Sequence, residues 1–155
     1  MIHTINELKI EDSVLCLIDH QPWVAFPVTS IAPENLTNNV VALAKAAKAL
    51  SVPTILTTIN AEGGPLRDPL LNGLTAVFPD KRPIDRTNTN AWSDPNFVSA
   101  VEATGRKKLV MAGLWTEVCL AQTALSAIKA GYDVYFLPTH PAASVRKATS
   151  APASA

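Results

Sequence analysis

The sequence predicts an α/β fold, a three-layer α/β/α domain built on a parallel sheet. Three observations carry that expectation. Short apolar, β-branched runs alternate along the chain with amphipathic stretches. The first of these runs, Ser13 to Ile18, is continuously apolar, as a strand buried on both faces requires. The stretches between them, roughly 10–17 residues each, are long enough to act as the right-handed crossovers that parallel neighbours need.

Each element has its own local reason. Ser13-Val-Leu-Cys-Leu-Ile18 is a continuous apolar run closed by Asp19, the pattern of a strand in the middle of a sheet. After a proline-punctuated loop, Leu36, Val40, Leu43, Ala47 and Leu50 recur every three or four residues, which makes one apolar stripe on a helix. Pro53 ends the connection, and Thr54-Ile-Leu-Thr-Thr58 reads as the second strand. From 59 to 85 the pattern weakens. Gly63-Gly64 is a turn, a helix fits between Pro65 and Phe78, and a short strand is expected over 84–86. Ser93-Asp94-Pro95 starts a helix over 94–104 that Gly105 stops. Lys108-Leu-Val-Met-Ala-Gly113 is the fourth strand. Ala121, Ala124, Leu125 and Ile128 mark a helix over 118–130 ended by Gly131, and the fifth strand covers 133–137.

Composition limits the function classes. A chain of 155 residues fits one domain, and 48% hydrophobic against 17% charged residues gives a core and excludes disorder. Thirteen Lys and Arg balance thirteen Asp and Glu, so no positive field is present to hold nucleic acid or an anionic membrane surface. Cys16 and Cys119 are too few and too far apart for a disulfide framework or zinc ribbon. They read as reduced thiols of a cytoplasmic protein, and residues 1–12 carry neither a signal-peptide core nor a membrane-length apolar run.

Parallel sheets place their chemistry beyond the carboxyl ends of the strands. That rule selects Asp19 after the first strand, Arg86 at the end of the third and Cys119 just past the fourth. Asp19 alone would serve equally as a helix cap. Thr116 is placed to cap the helix that follows, so Cys119 falls in its first turn, where the positive helix end lowers a thiol's pKa. On these residues alone, Cys119 is a nucleophile or a small buried filler; Cys16, in mid-strand, is core packing.

Asp19-His20-Gln21, Pro53-Thr-Ile-Leu-Thr-Thr58, Arg86 with Asn90-Ala91-Trp92, and Ala112-Gly113-Leu-Trp-Thr116-Glu117-Val118-Cys119 together resemble the isochorismatase-like cysteine hydrolases, nearest to their YcaC-type branch. The resemblance spans about residues 10–137 in the family's order and spacing. It implies an Asp–Arg–Cys triad of Asp19, Arg86 and Cys119, with Arg where the nicotinamidase branch has Lys. It also implies a cis Trp115–Thr116 bond, an oxyanion site at the backbone of Trp115, Thr116 and Cys119, and hydrolysis of an amide-type C–N bond through a Cys thioester. Gln21, Trp23, Phe26, Asn90, Trp92 and Trp115 are the expected substrate-pocket residues, the aromatic ones walling a small, flat or apolar substrate.

The similar nicotinamidases bind zinc after the second strand. Here that stretch reads Thr58-Ile-Asn60-Ala-Glu62, without histidine, and His3, His20 and His140 are scattered. No metal and no nucleotide cofactor are expected. Two alternatives stand beside amide hydrolysis: a catalytically weak oligomeric protein that keeps the fold, and vinyl-ether hydrolysis of the isochorismatase type. The expected partners are a small-molecule substrate and further copies of the chain, since the branch forms homo-oligomers.

The domain is expected over 1–137. Residues 138–155 have three of the twelve prolines, no acidic residue and Val145 as their only large aliphatic residue. A sixth strand and closing helix, which the resemblance leads one to expect, are missing from the pattern, and disorder is expected there. The stretch reads as a frameshifted segment or as a natural short variant with a tail of its own. It would leave the fifth strand an open edge.

Overall fold

The structure is a computed structural model and describes residues 8–63, 68–137 and 146–148. In chain order the strands are β1 (Ser13–Ile18), β2 (Thr54–Ile59), β3 (Ile84–Arg86), β4 (Lys108–Gly113), β5 (Asp133–Phe136) and β6 (Arg146–Ala148). The helices are α1 (Pro22–Ala25), α2 (Pro33–Ala49), α3 (Asn72–Val77), α4 (Pro95–Glu102) and α5 (Ala121–Lys129). The sheet order is β3-β2-β1-β4-β5-β6. All neighbours are parallel except β5 and β6.

The expected architecture is present. Val14, Cys16 and Ile18 of β1 point to one face with Ile55, Leu109 and Met111, where Phe97 and Val101 of α4 and Ala124 and Ala127 of α5 cover them. Leu15 and Leu17 point to the other, where Val40, Ala44 and Ala47 of α2 and Leu74 and Val77 of α3 pack. A buried aliphatic or aromatic side chain of this kind contributes about 1.5–3 kcal/mol, so both helical layers are held by their apolar stripes. Asp94 caps α4 as its sequence position suggests, its Oδ1 accepting the N–H groups of Asn96 at 2.8 Å and Phe97 at 3.3 Å.

Two expectations are corrected. The sheet has six strands, because residues 146–148 lie antiparallel along β5, with Tyr135 opposite Lys147. An edge strand needs only one neighbour's backbone and no second buried face, so a segment poor in large aliphatic residues can supply it. Lys147 adds a 2.6 Å ion pair to Asp133 and lies over the Tyr135 ring. Residues 138–145 and 149–155, the remainder of the expected tail, are outside the described residues. The helix expected over 118–130 is in two parts: a wide turn over Thr116–Leu120, closed by the N–H of Ala121 to the carbonyl of Thr116, followed by α5.

The chain order sets the site. It runs outward from β1 through β2 to β3, then returns to lay β4 on the other side of β1. The connections after β1 and β4 therefore diverge and leave a crevice at their carboxyl ends.

Candidate active site

Asp19 and Cys119 flank that crevice. β1 and β4 approach closely where they end: a Cβ on Gly113 would lie 3.2 Å from Ile18 Cβ and 3.3 Å from Ile18 O, so any larger residue there would have to push the β1 exit aside by a few tenths of an ångström. Three of the exits along this edge go through left-handed backbone, Asp19 at φ 57, Asn60 at φ 52 and Trp115 at φ 54. Such residues persist where surrounding structure holds them.

The three residues selected from the sequence converge. Asp19 is fully buried, and its Oδ2 accepts from an Arg86 terminal nitrogen at 2.5 Å in a pair whose side chains are 0% and 1% exposed. The other Arg86 terminal nitrogen donates to the carbonyl of Asn88. Asp19 Oδ1 accepts from Thr57 Oγ1 at 2.9 Å. The Cys119 thiol lies within electrostatic reach of both Asp19 and Arg86. One buried carboxylate is thus held by a guanidinium and a hydroxyl, with a thiol beside it.

Electrostatics at Cys119 differ from the helix-end expectation. Its thiol is pushed up to about 11, by burial first and then by the Asp19 charge and hydrogen bond, with Arg86 opposing. The wide turn in front of α5 accounts for the lost helix-end effect, since Cys119 does not stand at a regular helix N-terminus. Thr116 is not the cap; Trp115 takes that position without a side-chain bond. The two cysteines still differ: Cys16 is pushed up to about 12 by burial alone, without the carboxylate and guanidinium that meet Cys119.

The Trp115–Thr116 bond is trans, and no described peptide bond is cis. The chain instead turns through the positive φ of Trp115, whose indole Nε1 donates to the carbonyl of Val24 at 2.9 Å. The Cys119 N–H, expected to face an oxyanion, donates to the Trp115 carbonyl at 3.1 Å. The N–H groups of Thr116 and Glu117 precede that closed turn. Thr116 and Glu117 line a cavity of about 320 Å³ with Pro27 to Ser30 and Gly113 to Trp115.

The expected pocket residues divide. Trp115 lines this cavity, while Trp23 and Phe26 stand edge to face on the neighbouring surface, 57% and 81% exposed. The other three are structural. Gln21 is fully buried, with its amide nitrogen donating to the carbonyls of Ile59 and Asp68 and its oxygen accepting from the Ile59 N–H, so it ties the β1 exit to the β2 exit. Asn90 Oδ1 caps the turn at Trp92, and its nitrogen donates to Ser126 Oγ. Trp92 packs on Phe97 and Tyr132. A polar or aromatic residue beside a site is as readily consumed by the loop's own backbone and core, and sequence position does not separate these cases.

Sequence reasoning missed Thr57 and Thr123. Thr123 Oγ1 donates to the Cys119 carbonyl at 2.7 Å and accepts the Ala91 N–H at 2.9 Å, fastening the turn to the 91–93 segment. Thr57 had one available signal: it shares the face of Ile55 on β2 by the period of two. His20 is fully buried, and neither ring nitrogen has a partner among the described residues; Arg86 Nε is the one other buried side-chain atom in that position. These three unsatisfied atoms all belong to the site or its neighbour. Among the described residues no group of three or more His, Cys, Asp or Glu side chains has metal-holding geometry, and no helix is long and apolar enough to cross a membrane.

The likeness to known proteins has the same content. The isochorismatase domain profile matches residues 13–140. The probable hydrolase YcaC of Escherichia coli is 49% identical over 129 residues, covering 83% of this chain. This chain spans 61% of that relative's length. The crystal structure of the Escherichia coli YcaC gene product, described as an octameric hydrolase of unknown specificity, superposes with a TM-score of 0.79 at 45% identity, covering 85% of this chain and 64% of that one. YcaC from Pseudomonas aeruginosa, solved with hexane-2,5-diol and covalent acrylamide, gives 0.81 at 40% identity, with 86% and 66% covered. By sequence match, strand order and these superpositions, the chain belongs to the isochorismatase domain family and is YcaC-like within it.

Proposed function

We propose that the protein is a cysteine hydrolase that cleaves an amide-type C–N bond of a small molecule, with Cys119 as nucleophile, Asp19 as proton acceptor and Arg86 as the fixed cation that holds Asp19. The observation that carries this reading is the convergence of the buried Cys119 thiol on a carboxylate already paired to Arg86 at 2.5 Å. Asp19 takes the thiol proton as sulfur attacks the substrate carbonyl. The backbone N–H groups of Thr116 and Glu117, ahead of Cys119 in the same turn, would receive the negative oxygen. Asp19 then gives its proton to the leaving nitrogen, the C–N bond breaks, and a thioester remains. Water adds to the thioester and gives a proton to Asp19; sulfur leaves, regains a proton, and a carboxylic acid departs. Substrate would enter the cavity beside Trp115, which is 44% exposed.

The related YcaC being octameric supports a homo-oligomer here, and the exposed Trp23, Phe26, Trp115 and Val118 are suited to a subunit contact. Two free, buried cysteines fit a reducing cytoplasm.

The second reading, a catalytically weak family member, is favoured by one observation: Cys119 is 6% exposed and its thiol is raised. A panel of small primary and secondary amides separates the two. Wild type is expected to hydrolyse at least one, with about 10³-fold or greater loss in Cys119→Ala. Unchanged turnover in the variant removes Cys119 from the mechanism; no turnover in wild type, with alkylation of Cys119 no faster than that of a free thiol, supports the weak member.

A further inference from the structure

Thr57 lies on β2, two residues before the strand's last, fully buried and on the sheet face that carries Ile55 and Cys119. Its backbone carbonyl accepts the Asp19 N–H at 3.2 Å while its hydroxyl donates to Asp19 Oδ1 at 2.9 Å. Both ends of Asp19 are therefore held by one residue. A carboxylate bound through one oxygen can still swing about its last bond. With Oδ2 fixed by Arg86 from β3 and Oδ1 fixed by Thr57 from β2, its plane is set from two strands and only its remaining lone pairs face Cys119.

We infer that Thr57 is a positioning residue for the proposed reaction, whose hydroxyl aims the Asp19 carboxylate at the Cys119 thiol. This inference rests on the Asp19–Cys119 partnership proposed above. The groups facing Asp19 are Arg86 from β3, Thr57 from β2 and Cys119 from the turn before α5, with His20 next to it in the chain. Of these, only Thr57 and Arg86 donate to Asp19 without taking part in proton transfer. Losing the hydroxyl frees the carboxylate to turn about its last bond, away from the thiol, and slows the reaction of Cys119.

Thr58, the next residue, supplies an internal control. Its hydroxyl donates at 2.8 Å to Asp85 on the opposite face, so Thr58→Val removes an equivalent hydrogen bond from the same strand. The experiment is the rate of Cys119 alkylation by iodoacetamide at one near-neutral pH in the full chain, for wild type, Thr57→Val, Thr57→Ser and Thr58→Val, with circular dichroism to show that each is folded. The expected result is a rate about tenfold lower in Thr57→Val, restored in Thr57→Ser and unchanged in Thr58→Val. A folded Thr57→Val that reacts at the wild-type rate overturns the inference. So does an equal loss in Thr58→Val. If Thr57→Val does not fold, Thr57→Ser alone decides: it must react at the wild-type rate, and a slower reaction overturns the role of the hydroxyl. A wild-type Cys119 that reacts no faster than a free thiol fails the Asp19–Cys119 reading instead.

Discussion

Consecutive threonines at the end of β2 serve two carboxylates on opposite faces of the sheet, and the two settings differ in kind. Asp85 accepts Thr58 Oγ1 at 2.8 Å, the Ala61 N–H at 2.9 Å and the Glu62 N–H at 3.1 Å. Burial pulls its carboxyl up, but these bonds and the Arg86 N–H outweigh it and hold the carboxyl below the usual range. Its donors are backbone groups and a hydroxyl, none of which exchanges a proton, so Asp85 can only clamp the loop after β2. Asp19 has fewer donors, a cation and a thiol. A carboxylate saturated by fixed donors is structural; one that leaves a lone pair to a group able to lose a proton is equipped for chemistry.

Breaking the Asp19 side has the largest expected effect. Arg86→Ala leaves Asp19 fully buried without its cation, and removing one partner of such a pair costs about 3–5 kcal/mol. Denaturant unfolding of the variant should show that loss, whereas a stability within about 1 kcal/mol of wild type would mean that the pair is solvated and the site open.

Acid should also divide the two sides. His20, next to Asp19, is lowered by burial from the usual 6.5 to about 4. Its unfolded form therefore binds more protons between those values. Stability is expected to be flat above pH 6.5, to fall on acidification by about 3 kcal/mol and to level near pH 4. Asp85 acts in the same sense but in a more acidic window: its contribution is complete above the usual 3.8 and is lost only as pH drops through its lower folded value. Unfolding midpoints against pH test the assignment, because His20→Leu should erase the decline between pH 6.5 and 4 and leave the more acidic one in place.

The smallest effect sharpens the comparison from the other side. Asp85→Asn replaces one acceptor oxygen by a donor facing the Ala61 and Glu62 N–H groups, at a cost of about 1–2 kcal/mol. Thermal unfolding should register it while iodoacetamide labelling of Cys119 keeps its wild-type pH profile; a moved profile would tie the two faces together.

Much of this architecture can be read from residues alone, for identifiable reasons. β1 and β4 fall at their expected bounds because apolar runs closed by a polar residue or glycine admit little else, and β3 falls at its bounds between the breaks that Pro83 and the polar stretch after Arg86 impose. Asp19, Arg86 and Cys119 could be brought together because topology alone delivers three strand ends to one edge. What escaped depends on how side chains spend their bonds. Gln21, Asn90 and Trp92 have the chemistry of pocket residues, yet backbone groups and the core use them. Thr57 looked like any β-branched strand former until a carboxylate from another strand met it. The trans Trp115–Thr116 bond and the wide turn before α5 follow from local backbone geometry that residue identity leaves open.

The left-handed backbone at Asp19 limits how this sequence can drift. By simple alternation, residue 19 would follow Leu15 and Leu17 to the face that α2 covers. The positive φ turns it instead toward Thr57, Arg86 and Cys119. Glycine, asparagine and aspartate enter that conformation at smaller cost than longer side chains. Only one of those three carries a carboxylate. A glutamate at this position would keep the charge at a higher backbone cost and carry its carboxylate one methylene beyond the Thr57 and Arg86 donors, so an acid-for-acid exchange that looks mild in an alignment would be poorly tolerated.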